Sequence, residues 1–247
     1  MSTQHERPIL EVDGFRKTYG DKVAVRDLSL AVEPGDIYGF VGHNGAGKTT
    51  LIRAIVGAQP FDGGTIRVCG VDVAADPVAA KRRLAYVPDN PDVYDFMTGV
   101  QYLAYMGDVF GVPAEVRARR VAELAERLEI AGDLGEPVSS YSHGMRQKLV
   151  IIAALVHDPR LLVLDEPFVG LDPVASHEVR AMLRELTERG GAVFFSSHVL
   201  EVVERLCDKV AVIRSGELLR AGTVDEVRGD ETLESVFLEL VEEGEGR

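Results

Sequence analysis

The chain is poor in cysteine, in basic charge and in long apolar runs, and each shortage excludes something. Cys69 and Cys207 are its two cysteines, and their separation fits no metal-binding spacing. They suit a reducing cytoplasm and a structural role. Lysine and arginine number 27 against 40 aspartates and glutamates, a formal net charge of −13. That balance argues against a protein built to coat nucleic acid. The longest apolar stretch near the middle, "LVIIAALV" (Leu149–Val156), is far too short to cross a bilayer. The opening "MSTQHERPIL" lacks the basic-then-apolar order of a signal peptide. There is no internal repeat and no low-complexity linker. The two basic clusters, Lys81–Arg83 and Arg117–Arg120, read as solvated helix faces. What is present is ordinary for a globular protein: 247 residues, 46% of them hydrophobic, enough for one large or two small domains around a core.

Against this plain background one stretch stands out. "GHNGAGKTT" (Gly42–Thr50) has the spacing of a phosphate-binding loop. Its glycines let backbone N–H groups of the loop, from Gly42 and His43 through Asn44, Gly45, Ala46 and Gly47, close on an anion with no Cβ in the way. Lys48 supplies a point charge for the terminal phosphates, the Thr49 hydroxyl a ligand for Mg²⁺, and Thr50 continues into the helix. The flanks agree. "DIYGFV" before the loop reads as a buried strand, and Leu51, Ile52, Ile55 and Val56 after it recur at helical spacing up to Gly57. Unpaired N–H groups and the helix dipole then favour negative charge at the same point.

A second constellation is "LLVLDEP" (Leu161–Pro167). Four apolar residues predict a central parallel strand, and Asp165 emerges at its carboxyl end, where ligands gather in open α/β sheets. Asp165 is placed to hold Mg²⁺ through its water shell, and Glu166 to polarise a water. Strand alternation would point the two carboxylates in opposite directions.

The remaining pattern is α/β. Strands are expected at Ile9–Phe15, Val23–Val25, Leu28–Val32, Ile37–Val41 and Thr65–Cys69, forming an antiparallel layer beside the strand that feeds the loop. From Pro77 to Val156 the pattern is mostly helical, including a helix over Ala114–Ile130. Later come a helix over Val174–Glu188, a strand at "AVFFSSH" and strands at Val210–Ile213 and Leu218–Arg220.

In this order the motifs resemble the ATP-binding subunit of ABC transporters over essentially the full length. "GHNGAGKT" matches Walker A, "YSHGMRQK" (Tyr141–Lys148) the ABC signature, "LLVLDEP" Walker B, "GLDP" (Gly170–Pro173) the D-loop, and "SSH" ending at His198 the switch histidine. Tyr19, in "KTYG", stands where that family stacks a ring on adenine. The resemblance implies a P-loop NTPase fold: a parallel sheet, an antiparallel β layer and an inserted helical subdomain. It implies a single ABC ATPase domain over residues 1–247. Residues 1–88 and 157–230 would form the ATP-binding core, 89–156 the helical subdomain, and 231–247 a C-terminal helix and frayed tail.

It further implies ATP and Mg²⁺ as ligands, ATP hydrolysis as the activity, and Lys48, Glu166 and His198 as catalytic groups. Ser142 and Gly144 at the signature helix would bind the γ-phosphate held by a second ATPase subunit, and Asp172 would couple the two sites. The partner is an integral membrane permease, so the chain would lie peripherally on the cytoplasmic face of the membrane, with no nucleic acid bound. "TLESVFLELVE" (Thr232–Glu242) resembles the closing segment of drug-, lipid- and polysaccharide-exporter ATPases.

Two positions depart from the family pattern. Asp89, in "YVPDNP", replaces a glutamine and becomes a Mg²⁺ ligand or a contact to the membrane partner. His143 replaces a glycine, and its Cβ restricts the turn, which implies slow basal hydrolysis. The loop Pro88–Met97, with Asp89, Asp92 and Asp95, is a candidate docking surface for a basic cytoplasmic helix. A soluble ABC ATPase acting on ribosomes or DNA remains an alternative, as does a regulatory subunit. The absence of heptads, of zinc spacing and of a second ATPase half speaks against the soluble form.

Overall fold

The computed structural model describes residues 7–242; residues 243–247, most of the predicted frayed tail, lie outside them. In chain order the strands are β1 (Leu10–Tyr19), β2 (Lys22–Val32), β3 (Ile37–Val41), β4 (Gly63–Val68), β5 (Val71–Asp72), β6 (Leu84–Val87), β7 (Leu161–Asp165), β8 (Ala192–Ser197), β9 (Lys209–Arg214) and β10 (Glu217–Thr223). The helices are α1 (Lys48–Ile55), α2 (Pro77–Lys81), α3 (Gly99–Val109), α4 (Ala114–Arg127), α5 (His143–Val156), α6 (Pro173–Glu188), α7 (Leu200–Leu206), α8 (Val224–Arg228) and α9 (Leu233–Glu242).

Two sheets form. The larger has the order β10-β9-β3-β8-β7-β6, parallel from β9 to β6 with β10 antiparallel on the edge. The smaller is an antiparallel layer, β2-β1-β4-β5. β3, β7 and β8 are buried at every position, because both faces of the large sheet are covered. Alternate residues serve two separate cores. Leu161, Val163 and Phe194 pack with Phe15, Leu28 and Leu51 on the side of the antiparallel layer and α1. Leu162, Leu164 and Phe195 pack with Leu149, Ile152, Met182 and Leu186 of α5 and α6. The strand period of two thus sorts one strand's residues between two layers.

Several boundaries differ from the sequence expectation, each for a local reason. The segments 23–25 and 28–32 are one strand, β2, because Asp27 (φ 48°) forms an irregularity that lets pairing resume. α4 stops at Arg127 rather than Ile130: Glu129 turns left-handed (φ 54°), and Ile130 is buried from outside the helix. The helical stretch is interrupted by β6, which joins the large sheet. The Lys81–Arg83 side chains are exposed, but only Lys81 lies within α2, and Arg83 donates to the Cys69 carbonyl at 2.8 Å. The Arg117–Arg120 cluster is only partly solvated. Arg117 donates to the Ala104 carbonyl and pairs with Asp108, and Arg120 donates to the Val156 carbonyl and pairs with Asp158.

The helical block is tied to the sheet through His157. Its ring stacks on Phe110 at 3.7 Å and donates to the Leu84 carbonyl at the start of β6. Burial holds this imidazole's pKa below its usual value. No helix among the described residues is long and apolar enough to cross a membrane.

Candidate active site

The loop between β3 and α1 wraps around its own lysine. Gly47 caps α1 at φ 112°, a backbone conformation that favours glycine. The Lys48 side chain turns back, donating to the carbonyls of Gly42 (2.6 Å) and His43 (3.3 Å), and is 6% exposed. Burial lowers its pKa, while Glu166 and Asp165 pull the other way. Around it the first N–H groups of α1 have no intrahelical acceptor, so the loop presents a positive end with a buried cation at its centre.

Asp165 ends β7 directly opposite Ser196 of β8. Its carboxylate accepts from Ser196 Oγ and, at 3.2 Å, from Thr49 Oγ1. Glu166 departs from the strand-alternation expectation. It lies past the end of β7 with φ 49°, so a left-handed backbone turn, and not the pleat, sets its direction. Its Oε1 lies 2.9 Å from His198 Nδ1, and Ser197 Oγ donates to Oε2 at 3.3 Å. Ser197 in turn accepts from the Val199 amide. His198 is otherwise open to solvent, at 56% side-chain exposure.

Lys48, Thr49, Asp165 and Glu166 border one cleft of about 630 Å³. Of the residues singled out in the sequence, Tyr19, His43, Asn44, Gly45, Gly47, Lys48, Thr49, Thr50, Asp89, Asp165 and Glu166 line it. Gly42 and Ala46 are buried beneath the loop. Ser142, Gly144, Asp172 and His198 lie outside the lining. Lys22 to Ala24 and Ser215 complete the wall and carry no motif that marks them. Lys22 was within reach of sequence reasoning, since the Gly20-Asp21 turn sets it opposite Tyr19. Tyr86, behind the carboxylates, has its phenol pushed up to about 12 by burial first and by Asp165 second.

Ser142 begins a separate structure. It caps α5, its hydroxyl accepting from the Met145 amide at 3.2 Å. His143 is the first helical residue, with no positive φ, so its Cβ does not obstruct the turn as the sequence suggested. Its ring instead lies over Gly170: a Cβ there would sit 2.4 Å from the imidazole. Gly144 packs equally tightly, since its own Cβ would meet the Gly170 carbonyl oxygen at 2.6 Å. Asp172 caps α6 through the Ala175 amide and pairs with Lys148 at 3.0 Å. The amide first, and Lys148 next, hold its carboxyl below the usual carboxylate range.

Among the described residues no three His, Cys, Asp or Glu side chains converge as a metal cage. Thr49 Oγ1 and Asp165 Oδ2 form a two-oxygen set beside the loop. That set fits Mg²⁺, which takes one or two protein oxygens together with phosphates and water.

The model of the family described as ABC transporter matches residues 25–169, more than half of the chain. The chain belongs to this family. It is an ATP-binding subunit of the ABC transporter type, and the family's chemistry makes it an ATPase. It is 37% identical over 222 residues to an uncharacterized ABC transporter ATP-binding protein of Synechocystis sp., covering 89% of this chain and 62% of that one. It is 37% identical over 220 residues to the Nod factor export ATP-binding protein I of Ralstonia nicotianae, covering 89% and 68%. A solved structure described as an ATP binding subunit of an ABC transporter superposes with a TM-score of 0.91 at 30% identity, covering 94% of this chain and 99% of that one. The ABC ATPase fold expected from the motifs is therefore the fold of the molecule.

Proposed function

We propose that this ABC subunit hydrolyses ATP to power an exporter whose membrane-spanning permease is a separate protein. The observation that carries the reading is a division within one chain. Lys48, Thr49, Asp165 and Glu166 border one cleft, while the Ser142 helix N-terminus lies outside it. A second copy or a related subunit completes the site by bringing its Ser142 and Gly144 amides to the γ-phosphate. The export name of the Ralstonia relative favours outward transport.

In this reading Tyr19 stacks on the adenine, the loop amides and Lys48 hold the β- and γ-phosphates, and Thr49 and Asp165 hold Mg²⁺. The ion, when bound, offsets charge on the phosphates. Glu166 accepts a proton from the water whose oxygen attacks the γ-phosphorus, as the bond to the β-phosphate oxygen breaks. His198 fixes the Glu166 carboxylate and reports on the γ-phosphate. Asp172, at the junction of α5 and α6, couples the two sites. Asp89 lines the same cleft as Asp165, and its charge would bear on a bound metal and phosphates there.

The permease docks on the loop at 88–97. Tyr94 and Phe96 are exposed there, at 46% and 80%. Asp92 supplies acidic charge, whereas Asp95 is already paired with Arg146 at 2.9 Å and contributes less. The subunit then lies on the cytoplasmic face of the membrane, held by that partner.

The test is detergent purification of the tagged chain from its native membranes. A polytopic membrane protein in stoichiometric amount, lost in an Asp92→Lys/Phe96→Ala variant, is the expected result. Ribosomal or DNA-repair proteins in its place would overturn it.

A further inference from the structure

Tyr19 is half exposed, at 49%, yet its ring is not free to swing. Its hydroxyl donates to Gln59 Oε1 at 2.8 Å, and Gln59 Nε2 donates to the Thr50 carbonyl at 2.7 Å. The partners fix the orientation of the amide. A carbonyl only accepts, so the NH₂ group must face Thr50, which leaves the oxygen for the phenol. The backbone of Gln59 is itself held, its amide donating to Arg53 O at the end of α1. A second tether comes from the same segment. Lys17 lies 5.4 Å from the ring centroid and pairs with Asp62 at 3.3 Å. Asp62 also accepts from Thr18 N and Thr18 Oγ1, at 2.6 Å each, fixing the strand end that carries Tyr19.

The chain from ring to Gln59 to Thr50 ends on the helix that begins at Lys48. We infer that Gln59 is a positioning residue for the nucleotide: it ties the aromatic platform for the base to the phosphate-loop helix, at a fixed separation. Lys17 occupies one face of the ring, and the other is left for the base. An exposed ring ordered before the nucleotide arrives spares binding the cost of ordering it. The inference rests on the reading of Tyr19 as a base-stacking residue.

Gln59→Leu, Tyr19→Phe, their double variant and Tyr19→Leu separate the possibilities. The readouts are ATP affinity, the steady-state KM and kcat, and the affinity for inorganic tripolyphosphate, which has no base. Gln59→Leu and Tyr19→Phe should each raise the Kd and KM for ATP by about 3- to 10-fold. The kcat of Gln59→Leu should stay unchanged, as should the tripolyphosphate affinity of each variant, and the double variant should lose no further ATP affinity. Gln59→Glu, which keeps the acceptor but loses the donor to Thr50, should behave like Gln59→Leu. Unchanged ATP affinity in Gln59→Leu, with Tyr19→Leu impaired, would overturn the tether and leave the stacking role standing. Equal weakening of ATP and tripolyphosphate would also overturn it, as damage to α1 itself. Unchanged ATP affinity in Tyr19→Leu would remove the stacking reading and the tether with it.

Discussion

Lys148 and Asp172 face each other at 3.0 Å, joining the signature helix α5 to the first turn of α6, which Asp172 also caps. The cap is the larger contribution. Asp172→Ala should cost about 1 kcal/mol in urea unfolding, and Lys148→Met less, since the Asp172 carboxylate is half exposed. The carboxyl titrates below its usual range in the folded chain. Its share of stability is therefore fully present above the ordinary carboxylate value, and is lost as pH falls through the lower folded value. Asp172→Asn keeps an acceptor but not the charge. The stability gap between wild type and Asp172→Asn should close on acidification, and a gap constant with pH would refute the assignment.

Glu166 and His198 should fail as a unit. Glu166→Gln is expected to lower ATP turnover by about 10²- to 10⁴-fold while ATP still binds. His198→Ala should lower it too, by releasing a carboxylate now held at 2.9 Å. The double variant should be little worse than Glu166→Gln alone. Single-turnover hydrolysis with labelled ATP reads this directly, and fully additive losses would show that the two groups act independently.

Gly170 is set against the His143 ring and also has φ 81°. Gly170→Ala should therefore destabilise twice over, through a clash and through a left-handed backbone worth about 1 kcal/mol. Adding His143→Ala should recover the first part and not the second. Thermal unfolding of the two variants checks it, and no recovery would mean that the clash is relieved in some other way.

Asp89 brings a third carboxylate to a cleft already holding Asp165 and Glu166. Asp89→Gln should tighten binding of metal-free ATP by roughly 2- to 5-fold at low salt, with the gain fading as salt rises. Binding isotherms with chelator present, at two ionic strengths, measure this. A salt-independent change would point to lost contacts in place of lost charge.

How much of this was legible depends on how far each signal travels along the chain. The phosphate loop is local, with its glycines, lysine and threonine contiguous, so its place between β3 and α1 was readable. Asp165 was readable because an unbroken apolar strand ends on it. Ser196 and Ser197 were not, because their contacts with Asp165 and Glu166 arise only once β8 lies beside β7. The unity of β2 was hidden by Asp27, whose left-handed backbone looks like a turn in the sequence. Arg117 and Arg120 look solvated in a charge pattern, yet they reach carbonyls on other elements. Gln59 carries no motif, and its importance rests on two hydrogen bonds to residues 40 and 9 positions away.

The left-handed backbone of Glu166 implies that this chain is not at its thermodynamic optimum there. A glutamate at φ 49° is held where glycine or asparagine would rest more easily. Selection for stability alone would replace it, and an Asn or Gly at 166 should melt no lower than the wild type, while hydrolysing almost nothing. Screens for heat-tolerant variants of this protein should therefore recover inactive molecules at position 166, and any scheme that ranks substitutions by folding energy will misjudge that position.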